Sequence, residues 1–569
     1  IDTIRRYFFN TNSAQRIATL LDELPSQARL PLCTGACIGD VFDLSRVAEI
    51  AQSAKTAAAI KLRPAINLGI IALNSQGKYQ FSHPRIRAHV YELIPTEHKT
   101  QIHLSLARSL REPQNSGRDF PLEINAIEVA HHYNAATNPI DTDADLREEV
   151  AEQNLIAARL AQKSGLFQSA HKYSRYGLVL LHDNNNPELT RKLTECAALT
   201  AFLCGDFEQL KQVGYIAPQS ELLRDIQIRT AMVQNRLRDA GDLALQDITA
   251  LGLKARGLRL QSAKYKIAQT AGLTDPRFFQ RDLPETLPQA KDPQLKQVSR
   301  LVGYLDHASI HTNTHRAATD GYALAIIRSS EKSGYNGETA FAFAIAARSA
   351  LRDGLHLRSQ QLATQARRIA AEFPEDSFSV RTRICLDSHI DPWFGSLEQS
   401  VRSLSEGVLK AQSANDYEFS AFAAASYAIN GFTRGLDLGA LKRTVSEHLA
   451  QVNRYGHTTG VNIAFYVLQI ATHLLAQPEN HAQLGQSALT IKADDDQLAQ
   501  ACVYTLRLFY AVLFNDFNGA RYIIDEANKT EAALSTFPLH SLYTLSSGLI
   551  AARTAPVRLD LLHKAIASL

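Results

Sequence analysis

A chain of 569 residues that is 45% hydrophobic and 21% charged has apolar material for several cores and too little charge for disorder. Sixty lysines and arginines nearly balance 57 aspartates and glutamates, so a formal net charge of +3 supplies no overall attraction for nucleic acid or an anionic membrane. Six cysteines scattered over this length point to a reducing compartment, and a cytoplasmic location is expected.

The longest apolar run, Asn462–Ala476, is broken by Asn, Gln, Thr and His. It falls short of the ~20 apolar residues that cross a bilayer. The chain begins at Ile1, has its only methionine at Met232, and ends at Leu569 inside a helical pattern. A piece of a larger protein is expected.

In chain order, the first 12 residues read as the end of an upstream region. Residues 13–111 hold the helical stretches "SAQRIATLLDEL", "PSQARLPLCTGACIG" and "SAKTAAAIKL". Two β-prone arms follow, Ile70–Leu73 and Lys78–Phe81, around Asn-Ser-Gln-Gly, which has hairpin chemistry. "RIRAHVYELI" closes the group as a helix. This order predicts a winged-helix-like domain with a small β-hairpin. Residues 112–120, rich in Pro, Asn, Ser and Gly, read as a linker.

Past the linker nearly every segment has helical period, so the fold class is all-α. A weak signature recurs at the turns: "SGLFQSA", "CGDFEQL", "DGLHLRS", "ANDYEFS" and "FNDFNGA". Each closes a helix with Gly or Asn, which tolerate left-handed backbone, and places Phe167, Phe207, His356, Tyr417 or Phe517 two residues on. The ring is expected to pack as the second helix begins, with a small residue three positions later for close approach. That is the logic of tetratricopeptide-like helix pairs in a divergent α-solenoid. Residues 121–275 form its first half and 294–569 its second. Between them 276–293 carries Pro276, Pro284, Pro288 and Pro293, and is expected to be an extended connector.

Candidate chemistry is sparse. "HASIHTNTH" spaces His307, His311 and His315 four apart, and His307 with His311 is the strongest zinc-ligand pair in the chain. The glutamate of H-E-x-x-H is replaced by Ala308, so a polar helix face is the plainer expectation, and a zinc-dependent enzyme rests on this pair alone. Cys33 and Cys37 lack a second pair at finger spacing and read as a small buried pair. "DTDADLREE" reads as a solvated face with helix N-terminal charge. No G-x-S-x-G, Cys–His signature or kinase loop is present. Catalytic residues are therefore not expected. The helix before the hairpin offers Lys55, Lys61 and Arg63 around an Ala-rich middle, and the hairpin adds Lys78. That is thin for DNA, so nucleic acid is not expected as a partner. The basic run 254–266 reads as a solvated amphipathic helix.

"YQFSHPRIRAHVYELIPTEHKTQIH" gathers His83, His89, His98 and His103. Placed on elements they spread over a strand end and two helices, and are not expected to converge. The same stretch, "FSHPRIRAHVYELIP…HKTQIHLSLARSL", resembles a signature of STAND (AAA/NACHT-like) signal-transduction ATPases. The likeness is to sensor proteins in which the ATPase follows a serine/threonine-kinase-like domain and precedes a helical region, often a GAF domain, and a histidine kinase or cyclase. Phe81, His83, Arg85, Tyr91, Leu93, Ile94, Pro95, His103 and Leu104 match, and Pro84 replaces the usual Asp. "LPSQARLPLCTGACIGDVFDLSRVAEI", "EVAHHYNAA" with His132, Tyr133 and Asn134, "LPQAKDPQLKQVSRLVGYL", "HIDPWFGSLEQSV" with Trp393, and "ANDYEFSAFAAASYAINGFTRGLDL" resemble further family stretches in the same order.

The resemblance implies a middle piece of such a protein. ATP and Mg are expected in an upstream domain, since no G-x-x-x-x-G-K-[ST] occurs here and the fragment itself needs no cofactor. Residues 1–12 would end the ATPase region. Phe81, His83, Arg85, Tyr91, His103, His132 and Trp393 become candidate domain-interface residues. The implied role is regulatory and non-catalytic: the concave face of the solenoid binds a protein partner, an effector or another domain, and relays that state to a kinase or cyclase of two-component type. The alternative is the sensor region of a MalT-like ATP-dependent transcription regulator, which downstream sequence would distinguish.

Overall fold

The computed structural model describes residues 20–111, 125–137, 143–181, 186–214, 220–252, 283–453, 460–476, 496–553 and 558–568. Residues 1–12, the linker 112–120, the basic run 254–266 and Pro276 lie outside them. The chain divides into two compact units, Ile1–Leu223 and Arg224–Leu569.

Unit 1 opens with helix Ser26–Ile38, strand β1 (Val41–Phe42), helices Leu44–Ile50 and Lys55–Asn67, and strands β2 (Ile71–Leu73) and β3 (Tyr79–Phe81). The hairpin arms were expected. Strand β1 and the short helix after it were not. The sheet is antiparallel in the order β1-β3-β2, with Phe42 opposite Tyr79 and Ile71 opposite Phe81. Phe42 is the keystone of this core. Its ring packs on Tyr79 and Phe81, and lies so close to Gly35 that a Cβ there would meet it at 2.7 Å.

Helix Pro84–Glu92 follows, capped by His83, whose Nδ1 accepts from the Arg85 amide at 3.1 Å. Pro84 occupies the first helical position, where a missing N–H costs nothing. Helices Thr96–Arg111, Ala126–Ala136, Ala144–Lys163, Phe167–Leu180 and Pro187–Cys204 then pack each on the next.

The described residues of unit 2 are mostly successive helices from Arg224 onward. Polar side chains start many of them: Asp292, Asp376, Ser396, Asp416, Asp437, Asp496 and Asp516 each accept from an amide of the first turn. In both units the repeated turns adopt one geometry. Gly165, Gly205, Gly354, Asn415 and Asn515 have φ between 55° and 76°, and a helix begins two residues later. Asn235 (φ 58°) makes a sixth such turn ahead of helix Leu237–Ala250, with Leu237 where the others place a ring. The packing differs from the expectation in one respect. His356 is exposed and Phe167, Phe207 and Phe517 are half-buried, whereas the small residues Ala170, Ser359, Ser420 and Ala520 are fully buried. A small residue is buried for close helix approach at four of these five turns, the fifth having half-buried Leu210 there, whereas among the rings only Tyr417 is fully buried.

Within the described residues the connector is non-helical from Leu283 to Asp292. Arg368 donates to the carbonyls of Leu283 and Glu285, and Tyr335 exchanges backbone bonds with Pro288 and Ala290. Pro293 lies outside it, as the first residue of helix Pro293–Thr312. Helix Leu237–Ala250 packs directly on that helix.

Unit 2 closes on itself. Helix Pro293–Thr312 touches helix Gln497–Leu513 and the turn Glu531–Leu534, and helix Tyr417–Arg434 touches helix Leu539–Arg553. Side chains from the late part of the unit meet those of earlier helices at these contacts. His311 meets Asp496 at 2.9 Å, His389 meets Thr536 Oγ1 at 2.9 Å, and Phe537 packs on His389 and Phe422. Among the described residues no helix is long and apolar enough to cross a membrane.

Candidate functional site

Three of the sequence-selected residues converge in unit 1. Tyr91 Oη lies 3.0 Å from His103 Nε2, and His103 Nδ1 lies 2.9 Å from His132 Nδ1. With Tyr91 donating to His103 and His103 donating to His132, both contacts are satisfied by neutral rings. Burial, reinforced by neighbouring charge, holds His103 down at about 4 and His132 at about 3. The trio joins helices Pro84–Glu92, Thr96–Arg111 and Ala126–Ala136. Of the rest, Phe81 is in the sheet core, His83 is a helix cap and Arg85 is exposed. His89 is half-buried beside Glu92, and His98 is exposed.

Trp393 sits in unit 2. It is 40% exposed, and its indole N–H donates to the Thr536 carbonyl at 2.8 Å. His307 and His311 share a helical face with ring centroids 4.9 Å apart, but both are buried. His307 is wedged between Phe419 and Phe422, and burial drives its basicity well below the usual range. His315 leaves the face: the helix ends at Thr312, and His315 turns to Asp242 at 2.9 Å. Among the described residues no group of three or more His, Cys, Asp or Glu is placed to hold a metal ion. Cys37 is buried, and burial raises its thiol to about 12, the behaviour of a core residue.

The arrangement with the most open chemistry is a cavity of about 390 Å³ in unit 2, with residues from Asp225 to Asp416 in its walls. Helix Pro293–Thr312 presents Lys296, Arg300 and Tyr304 at successive four-residue steps, one stripe along its side. Glu338 comes from the first turn of helix Gly337–Arg352. It is 2% exposed and lies 3.8 Å from Lys296 and 3.7 Å from Arg300. Its neighbour Gly337 admits Asp376 so closely that a Cβ would meet the carboxyl carbon at 2.4 Å. Burial and the Asp376 charge push the Glu338 carboxyl up to about 7.

Across the cavity Arg381 is 3% exposed. Its Nε and Nη2 grip Asp416, and its guanidinium lies on the rings of Phe378 (4.4 Å), Phe419 (4.6 Å) and Tyr304 (5.1 Å). Among the described residues neither Glu338 Oε2 nor Arg381 Nη1 has a hydrogen-bond partner. The cavity thus pairs an unspent acceptor with an unspent donor, beside aromatic faces. That equipment suits recognition of a polar molecule. None of these residues was singled out from sequence; the stripe Lys296–Arg300–Tyr304 is a local pattern, but Glu338, Asp376 and Arg381 join it only through packing.

No family model matches the sequence, and no curated protein matches it. Among solved structures, the chain is similar to a STAND protein with a tetratricopeptide repeat sensor from Pyrococcus horikoshii, at 11% identity and a TM-score of 0.35. That likeness covers 89% of this chain and 66% of the other, so the chain spans less than two thirds of that protein's length. A circular tandem repeat protein is similar at 12% identity and a TM-score of 0.13, over 95% of this chain and 94% of that one. At these scores neither likeness assigns a fold, and the architecture rests on the chain's own helices.

Proposed function

We propose that the chain is a non-catalytic regulatory module of a STAND-type signal-transduction ATPase. Unit 1 would contribute a winged-helix-like part that packs on a nucleotide-binding core elsewhere in the protein. Two exposed apolar side chains favour a protein neighbour there: Ile60, 68% exposed on helix Lys55–Asn67, and Leu73, 57% exposed on β2. A DNA-reading helix and wing would use such positions for phosphate and base-edge contacts. ATP and Mg would be held by that core, in the cytoplasm, and the output would be a kinase or cyclase.

Unit 2 would be the sensor. The observation that carries this reading is the 390 Å³ cavity, whose walls come from residues spread between Asp225 and Asp416. A molecule bound there touches several successive helices at once. Its binding energy therefore favours one packing of unit 2 over another, which is the requirement for relaying occupancy to a distant domain. The test is nucleotide binding and turnover by the purified chain 1–569. Neither is expected, and saturable ATP turnover would overturn the regulatory reading.

A further inference from the structure

The geometry points to the cavity walled by Lys296, Arg300, Glu338, Asp376 and Arg381 as a binding site for a small amphoteric molecule carrying a primary ammonium and a carboxylate, the free amino-acid class. This deepens the sensor reading and rests on it for its role, while its test reads binding alone.

Three observations set the ligand class. The first is size: about 390 Å³ lies in the range of small-molecule sites and is far below what a folded partner needs. The second is the pair of unspent groups. Glu338 Oε2 is buried and, among the described residues, accepts no hydrogen bond, so the ligand must bring a donor. Arg381 Nη1 is buried and donates none, so the ligand must also bring an acceptor. A buried polar group without a partner carries a desolvation penalty that the right ligand removes. An anion alone answers only the arginine, and a cation alone answers only the glutamate.

The third is the state of the Glu338 carboxylate. Its contacts to Lys296 and Arg300 are long, at 3.8 and 3.7 Å, so it is not committed to either. Asp376 stands beside it as a second negative charge and adds to burial in holding its proton to about 7. An arriving ammonium replaces that proton and relieves the repulsion between the two carboxylates. Lys296 and Arg300, at the side of the helix, then turn to face the ligand carboxylate together with Arg381 Nη1. The faces of Tyr304 and Phe378 border the remaining space.

The experiment is titration calorimetry of the chain 1–569 with the proteinogenic L-amino acids, each compared with its amine-free carboxylic acid and its decarboxylated amine. At least one amino acid is expected to bind with Kd below about 1 mM, and both half-molecules to bind at least about tenfold more weakly. Glu338→Gln keeps the side-chain shape and is expected to weaken the amino acid about tenfold or more. Lys296→Ala with Arg300→Ala, both at accessible positions, is expected to weaken the amino acid and the amine-free acid but not the amine. The proposal is overturned if no amino acid binds, if a half-molecule binds as tightly as the whole, or if inorganic phosphate binds and Glu338→Gln leaves it unchanged. Failure here leaves the regulatory reading in place, since that reading stands or falls on nucleotide turnover.

Discussion

Arg229 holds Glu418 with two nitrogens, Nε at 2.7 Å and Nη2 at 3.0 Å, although 189 residues separate them. Both side chains are largely buried, at 12% and 4% exposure. Removing one partner of such a pair takes the two-point contact from the other, and Arg229 would keep the Asn415 carbonyl at 3.3 Å. Glu418→Ala is expected to cost unit 2 about 3–5 kcal/mol in chemical denaturation, whereas the double change Arg229→Met with Glu418→Leu should cost far less. Equal costs would show that the pair is not coupled.

The His103–His132 contact makes unit 1 sensitive to acid. In the unfolded chain an imidazole takes its proton near 6.5, while burial delays this to about 4 for His103 and about 3 for His132. Between those values the unfolded state binds more protons, so stability is complete above about 6.5 and falls as the pH drops through that window. Across that window each ring costs at most about 1.4 kcal/mol for every pH unit of acidification. His132→Leu should flatten the dependence of the urea midpoint on pH between neutral and about 4. An unchanged slope would remove the pair from the account.

Asn515 tests the repeated turn. Its φ of 57° lies in the left-handed region. Asn515→Gly should leave stability within a few tenths of a kcal/mol, and Asn515→Val should lower it by about 1–2 kcal/mol, read from thermal unfolding. Equal behaviour of the two variants would show that the backbone relaxes at this turn.

Trp393, the only tryptophan in the chain, is a built-in reporter. Its indole is tied to the Thr536 carbonyl, at the place where the late helices meet the earlier ones. A chain truncated after Thr530 should show red-shifted tryptophan emission, with His389 and Phe422 uncovered. Unshifted emission would mean that the closure does not set the environment of this ring.

The helices and their turns were legible in the sequence because Gly or Asn at a left-handed position is a local signal, and Gly165, Gly205, Gly354, Asn415 and Asn515 each carry it. Asn235 escaped because Leu237 stands where a ring was sought. Strand β1 escaped because two residues cannot show alternation; its pairing with β3 depends on the Phe42 ring finding Gly35. The cavity escaped for another reason. Lys296, Glu338, Asp376 and Arg381 each read as an ordinary polar position on its own helix, and only the packing of those helices brings them together. His103 and His132, 29 residues apart, were selected separately through a resemblance, with no local pattern to announce that they touch.

The closure of unit 2 also bears on how the protein is made. Asp496, Thr536 and Phe537, which cover His311, His389 and Phe422, leave the ribosome long after them, 185 residues later for Asp496 and 147 for Thr536. An ordinary helical repeat can fold from its first pair onward as it emerges, each new pair adding to the last. Here the early helices wait with apolar and imidazole surface uncovered until nearly the whole unit has been translated. Its folding is therefore expected to be paced by late, long-range contacts.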